Sequence, residues 1–518
     1  MSSRLTQPLR RAAQINGKGV ATICGERRRT WSEVAERVAR LAGGLRRLGL
    51  DTGGRAAVLA LNSDRYFELY SAIAWAGGVI VPMNTRLAAA ENAYVIADST
   101  PDLLLADDAG IALLDAADVA AVKARVYTGD GAAPAGWVGY EALVAESEPA
   151  PDAGRHGADL AALCYTGGST GKAKGVMLSH ENLISNAMNV VGMVGYDKSS
   201  VYLHAGPMFH LADAMAVFSV TMIGATHVFV PKFEVGACVA AMAAHRVSHT
   251  CLVPTMITML VNHPGIEDLD LSALQQLQYG SSPMPEATLR RAVALWPDIR
   301  FLHGWGMTET SPIGTLLPAE LRRPAVAGDK LRSCGQGPLN GEVMIVDEND
   351  REVPRGTVGE LVIRGPMVML GYWNKPDETA TALRGGWMHT GDAATMDDDG
   401  LVTIVDRLKD MIISGGENIY STEVENAISL IPGVAEVAVI GIPHERWGEA
   451  VHAVVVLRAG AQLSEESIRE QCRRAIAGYK VPRSVEIRAE PLPVTGAGKI
   501  FKRALREPYW RGREKGVN

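Results

Sequence analysis

The sequence lacks the marks of several large protein classes. No two of its six cysteines (Cys24, Cys164, Cys238, Cys251, Cys334 and Cys472) form a CxxC pair. A thiolate metal site or a dithiol redox motif is therefore not expected, and buried free thiols in a reducing compartment are. The longest apolar run, residues 72–83, is interrupted by two glycines and a proline and falls short of the ~20 residues of a membrane-spanning helix. The opening stretch MSSRLTQPLRRAAQING has no apolar core of the kind that signal peptides carry. A basic excess is missing too: 51 Lys and Arg face 58 Asp and Glu, for a net charge of −7, which argues against a nucleic-acid partner. Internal repeats and low-complexity segments are absent. The expectation is a soluble, cytoplasmic protein.

What is present is a chain of 518 residues, 47% hydrophobic and 21% charged, globular and too long for a single core. Residues 30–50 carry a helical stripe of Val34, Val38, Leu41, Leu45 and Leu48, opened by a Thr30–Glu33 capping box and closed by Gly49. The apolar run AAVLALNS (56–63) follows, and strand and helix signals alternate to about residue 330, the pattern of an α/β domain with largely parallel sheets. After residue 341 the texture changes to short β-type runs, EVMIVDEND (342–350), GELVIRG (359–365) and LVTIVDR (401–407), which predict a β-rich subdomain. MDDDG (396–400) is a turn whose acidic run is solvated rather than metal-binding. Further on, Thr422 and Glu425 suggest a second capping box, EVAVIG (436–441) and AVHAVVVL (450–457) read as strands, and Ile468, Cys472 and Ile476 mark a helix face. This last part reads as a small α+β domain.

The stretch YTGGSTGKAKGVMLSH (165–180) has the composition of a phosphate-binding segment between a strand and a helix. Glycines let backbone N–H groups turn toward an anion. Thr166, Ser169 and Thr170 can donate hydroxyl hydrogen bonds, and Lys172 and Lys174 supply charge. It is not a Walker A loop. Thr166 stands where that motif needs its first glycine, and Ala173 where it needs Ser or Thr.

The same stretch resembles the YTSGTTGxPKGV signature of the adenylate-forming superfamily, the acyl-CoA synthetases and their relatives. Gly167 replaces a usual serine and Ala173 a usual proline. The resemblance implies that Thr166, Gly167, Gly168, Ser169, Thr170, Gly171, Lys172 and Lys174 hold ATP phosphates. In GPMFHLAD (206–213) it implies that His210 borders the acid pocket. In QYGSSPMP (278–285) it puts Gly280, Ser281 and Ser282 along the adenine and acid pocket. In FLHGWGMTET (301–310) it puts Trp305, where many relatives have Tyr, beside the base, Thr308 at phosphate or carboxylate oxygens, and Glu309 on Mg²⁺, a hard ion that favours oxygen ligands. In WMHTGDAA (387–394) it gives Asp392 to the ribose hydroxyls, and in VDRLKDMIISGGENIYSTEVE (405–425) it gives Arg407 to ribose or phosphate, Lys409 to a hinge, and Gly415 and Gly416 to the CoA tunnel. TGAGKI (495–500) resembles the last family motif and makes Lys499 the catalytic lysine, with Val494 where a basic residue is common.

The implied organisation is a large domain over residues 1–405, a hinge over 406–410 and a small mobile domain over 411–518. The implied reaction joins a carboxylic acid to AMP, releasing diphosphate, and then transfers the acyl group to CoA. ATP and CoA are substrates and Mg²⁺ is the cofactor. The apolar stretches 208–218 and 253–260 suggest a hydrophobic acid, a fatty acid first and a feruloyl-like aryl acid next. A free-standing ligase fits better than a peptide-synthetase domain or a luciferase-type oxygenase. A non-catalytic nucleotide sensor would be expected to have lost Glu309, Asp392 or Lys499, and all three are present. Oligomeric state, monomer or homodimer, is not legible.

Overall fold

The computed structural model describes residues 3–115, 119–166, 173–282, 284–494 and 500–511. Two eight-stranded sheets make up the first three hundred residues and more. One runs Ile313–Leu316, Arg300–Gly306, Gln276–Gly280, His249–Leu252, Val201–His204, Thr226–Phe229, Val20–Cys24 and Arg27–Thr30 in spatial order. Its six middle strands are parallel, and each edge strand is antiparallel to its neighbour. The other sheet is parallel from Leu160–Thr166 through Val79–Pro82 and Arg55–Leu59 to Val138–Gly139, then antiparallel at Lys174–Ser179 and Gly371–Tyr372.

The expected first helix spans Trp31–Arg47, and Thr30 and Glu33 form both halves of the capping box. Val34, Val38, Leu41 and Leu45 are fully buried, as a stripe spaced at 3.6 residues requires. They join Trp31, Phe67 and Tyr70 with strand residues of both sheets in one core, so helices fill the space between the sheets. At two turns the chain needs glycine's positive φ: Gly77 (φ 94°) closes the helix Asp64–Ala76 and Gly195 (φ 84°) closes His180–Val194.

The β-rich part is a four-stranded antiparallel sheet, Glu342–Val346, Gly359–Arg364, Met388–Met396 and Val402–Arg407. MDDDG forms the expected turn before its last strand, where the Gly400 N–H donates to the Asp397 carbonyl at 3.0 Å. That strand runs to Arg407, two residues past position 405. Beyond it a five-stranded sheet and the helices Ser421–Ser429 and Glu465–Ala475 enclose a separate core around Ile412, Val424, Val439, Val455, Ile468 and Cys472. The architecture is the α/β class read from the sequence, with a β-rich subdomain and a small α+β unit.

One local expectation is corrected here. Thr422 and Glu425 make no capping box, because the helix begins one residue earlier, at Ser421, with no side-chain cap. Thr422 Oγ1 donates to the Val405 carbonyl instead, and Glu425 pairs with Lys502 at 2.7 Å.

Candidate active site

Thr166 and Lys174 face each other across the antiparallel pair Leu160–Thr166 and Lys174–Ser179. The phosphate segment is thus flanked by two antiparallel strands. This corrects the strand-to-helix reading: a second strand intervenes before the helix His180–Val194. Gly167, Gly168, Ser169, Thr170, Gly171 and Lys172 lie outside the described residues.

The strand Arg300–Gly306 delivers the turn Thr308–Thr310. Glu309 is buried, and the Tyr372 hydroxyl donates to its Oε1 at 2.8 Å. Burial, and then the Glu309 carboxylate, push the Tyr372 phenol well above its usual range, so it stays a donor. Lys174 Nζ stands 4.9 Å from the centroid of the same ring and 3.7 Å from Glu378. One tyrosine therefore separates the cation of the hairpin from the buried carboxylate. Sequence reasoning missed Tyr372. It lies on a two-residue strand that exists only through long-range pairing with Val176 and Met177, and no local pattern announces it.

The turn itself is pinned from two sides. Asn186 Nδ2 donates to the Thr310 and Ile313 carbonyls at 3.0 and 2.7 Å, and Ser311 Oγ donates to the Met367 carbonyl at 2.8 Å. Alongside, Gly280 ends the strand Gln276–Gly280 next to Gly304. A Cβ on Gly280 would sit 2.2 Å from the Gly304 carbonyl oxygen, so only glycine permits this approach. Ser281 follows at φ 70°. Gly280–Ser282 and Thr308–Thr310 thus leave the carboxyl ends of adjacent parallel strands, where α/β sheets bind ligands.

Trp305, Asp392 and Arg407 are brought together. Asp392 and Arg407 are direct partners across two antiparallel strands, and Arg407 Nε donates to Asp392 Oδ1 at 2.7 Å. Trp305 Nε1 donates to Oδ2 at 2.7 Å.

His210 caps the helix Leu211–Ile223, its Nδ1 accepting from the Ala212 N–H at 3.2 Å. Lys409 is exposed just beyond the strand Val402–Arg407, and Arg506 Nη1 donates to its carbonyl at 3.4 Å. Gly415 (φ 65°) and Gly416 (φ 88°) form a two-residue hairpin turn between Ile412–Ser414 and Glu417–Ile419, which needs positive φ at both positions. Lys499 lies outside the described residues, between Val494 and Ile500, which pair as an antiparallel bridge. Lys502 is anchored just beyond that bridge. It reaches Ser421 Oγ at 2.7 Å, and Ser421 Oγ in turn donates to Asp406 at 2.7 Å.

Among the described residues no three His, Cys, Asp or Glu side chains gather as a metal cage. Glu309 is a single buried carboxylate. Magnesium is commonly held by one or two carboxylates together with substrate phosphates, so this donor set fits an ion that arrives with a nucleotide.

Comparison with known proteins decides the family. The model of the AMP-binding enzyme family matches residues 9–373, and that of the AMP-binding enzyme C-terminal domain matches residues 423–499. The chain is an AMP-binding enzyme. A feruloyl-CoA synthase from Amycolatopsis is 41% identical over 504 residues, covering 97% of this chain and 98% of that protein. A long-chain-fatty-acid–CoA ligase from Mycobacterium tuberculosis is 35% identical over 491 residues, covering 93% of each. The crystal structure of ATP-bound MatB from Rhodopseudomonas palustris superposes with a TM-score of 0.88 at 31% identity, over 99% of this chain and 100% of that one. This AMP-binding enzyme is an AMP-forming acid–CoA ligase, with ATP and CoA as substrates and Mg²⁺ as cofactor. No helix among its described residues is long and apolar enough to cross a membrane.

Proposed function

We propose that the ligase activates an aryl carboxylic acid of the feruloyl type. The observation that carries this reading is the 41% identity, over nearly all of both chains, to a protein named for feruloyl-CoA synthesis. A fatty acid is the second reading, favoured by the 35% identical long-chain ligase and by the apolar stretches 208–218 and 253–260. Diphosphate release with ferulate, 4-hydroxycinnamate, octanoate and palmitate separates the two. The aryl acids should lead by at least about tenfold in kcat/KM, the discrimination that roughly 1.4 kcal/mol of differential transition-state binding supplies. An alkanoate that outruns both aryl acids overturns the reading. The six cysteines, all free, fit a cytoplasmic setting for it.

The roles of the side chains belong to the same proposal. The acid's carboxylate oxygen attacks the α-phosphorus of ATP, the bond to diphosphate breaks, and acyl-AMP forms. Residues 166–172 and Lys174 hold the β- and γ-phosphates, and Glu309, oriented by Tyr372, holds the magnesium. Bound there, Mg²⁺ supplies charge that offsets the phosphate oxygens. Asp392 accepts from the ribose hydroxyls, and Gly280, Ser281, Ser282 and Trp305 flank the base. Thr308 donates to phosphate or carboxylate oxygens, His210 borders the acid, and Lys499 bridges acid and α-phosphate. A turn of the small domain about Lys409 then presents Gly415 and Gly416. The CoA thiolate attacks the acyl carbonyl, and AMP leaves. Catalysis of this kind is mainly positioning and charge stabilisation.

Trp305 offers a contained test. Trp305→Phe keeps an aromatic face beside the base but removes the N–H that aims Asp392. A hydrogen bond to a charged group contributes about 1.5–3 kcal/mol, so KM for ATP should rise about tenfold or more while the melting temperature changes little. A KM within twofold of wild type would remove the indole–carboxylate bond from the account of nucleotide binding.

A further inference from the structure

Beneath the helix Leu211–Ile223 lies a buried polar chain that the reaction as described does not use. Asp213 Oδ2 is 2.7 Å from His204 Nδ1, His204 Nε2 is 2.9 Å from His227 Nδ1, and His227 Nε2 is 3.1 Å from Thr221 Oγ1. All four side chains are buried. One assignment satisfies every link: the Thr221 hydroxyl donates to His227, His227 to His204, and His204 to the carboxylate. Burial, and then His204, hold His227 well below its usual range, which keeps it neutral as this assignment requires. The chain ends on Asp213, whose other oxygen, Oδ1, is buried without a hydrogen-bond partner.

A second orphan faces the same region. The Tyr202 hydroxyl is buried and makes no full hydrogen bond, although the Cys251 backbone amide acts on its phenol. Its ring packs edge-on to His204 at 4.9 Å, and the Asp213 carboxylate is the strongest charge acting on its phenol. Unpaired buried polar atoms are rare and costly. One acceptor and one hydroxyl, both beside His204, suit a group that donates to one and accepts from the other.

The neighbouring elements place these atoms on one side of the sheet. Cys251 lies on His249–Leu252, a strand flanked by neighbours on both sides, yet it is only partly covered. Strand alternation puts it on the face of His249. That ring packs edge-on to Tyr196 at 5.1 Å, and Tyr196 packs on Tyr202 at 6.4 Å. Cys251 is thus a partly covered residue on the sheet face that also carries Tyr202. Asp213 stands three residues into the helix from its cap His210, a rise of about 4.5 Å. The helix that His210 caps therefore carries Asp213 within its first turn.

We propose that Asp213 Oδ1 and the Tyr202 hydroxyl recognise a phenolic hydroxyl at the end of the acid remote from its carboxyl. The substrate O–H donates to Asp213 and its oxygen accepts from Tyr202. His204 and His227 act as positioning residues that fix the carboxylate. This inference rests on the aryl reading above and narrows it to hydroxylated aryl acids.

The test compares kcat/KM for 4-hydroxycinnamate and cinnamate, with octanoate as a third acid, in wild type and in Tyr202→Phe. Sites built to hydrogen-bond a hydroxyl reject the analogue that lacks it strongly. Wild type should therefore favour 4-hydroxycinnamate by about a hundredfold, and Tyr202→Phe should bring that ratio down at least about tenfold, without lowering the melting temperature, because it deletes only an unpaired hydroxyl. Asp213→Asn should also lower the ratio; should that variant fail to fold, Tyr202→Phe decides alone. Equal rates on both aryl acids, or a ratio unchanged in Tyr202→Phe, overturn the inference and leave the aryl reading standing, the orphan atoms then being bridged by water. Octanoate outrunning both aryl acids overturns the aryl reading and the inference with it.

Discussion

Lys499→Ala should abolish acyl-adenylate formation and spare thioester formation from a supplied acyl-adenylate. A carboxylate and a triphosphate are both anions, and the attack that joins them brings their oxygens together. A unit positive charge ~4 Å away contributes roughly 4 kcal/mol at an effective dielectric near 20. Lost in the transition state, that is about a thousandfold in rate. The second step has a different electrostatic problem, a thiolate attacking a mixed anhydride whose leaving group is AMP, and it places no demand on this lysine. Single-turnover measurements of diphosphate release and of acyl-CoA formation separate the two. Equal impairment of both steps would mean that the lysine serves the fold or both chemistries, and the division of labour would fall. The anchoring of the residues on either side of it suits such a role. Val494 pairs with Ile500, and Lys502 ties the helix that follows to Glu425 and Ser421, so both flanks of Lys499 belong to the small unit.

Arg322→Met should lower stability by about 3 kcal/mol, read as the denaturation midpoint of the large unit. Arg322 is 2% exposed and forms no ion pair among the described residues. Its guanidinium donates to the carbonyls of Leu317 at 3.0 Å, Val194 at 3.1 Å and Met193, and to Gln276 Oε1 at 3.3 Å. Burial pushes it down to about 10, so it is charged at neutral pH. Two of those carbonyls belong to the last turn of His180–Val194, where intrahelical partners run out and a cation is favoured. Methionine fills much of the volume and leaves the acceptors bare, each at a cost of about 1–3 kcal/mol, partly offset by relief of the buried charge. Arg322→Lys should recover only a fraction, because a point charge cannot reach acceptors spread over a planar fork. A midpoint unchanged in Arg322→Met would show that water replaces the guanidinium freely. The effect should reach the site as well, since the same helix carries Asn186, which holds the turn of Glu309.

Much of the site was legible because short motifs encode backbone and chemistry at once. Glycine at 280, 415 and 416 stands where the chain approaches a neighbouring strand or takes positive φ, and Arg407 ends the run LVTIVDR, which reads as a strand. The misreadings were local signals overridden by distant partners. The phosphate segment looked like a strand-to-helix loop because the intervening strand Lys174–Ser179 is defined by its pairing with Leu160–Thr166, not by its own composition. Thr422 and Glu425 have capping-box spacing, but their side chains serve Val405 and Lys502 from other parts of the fold. Tyr372 had no signal at all, because its importance lies in what stands on either side of its ring.

The sequence by itself determined the family, the reaction and the order of the parts, because those rest on residue types at fixed spacing and on hydrophobic period. Tertiary structure alone decided which buried polar atoms are satisfied. Asp213, His204 and His227 come from a helix and two strands, and a hydrogen bond exists only where separate elements bring donor and acceptor within about 3 Å. Whether Tyr202 is left wanting a partner is therefore a property of packing that no spacing along the chain can express.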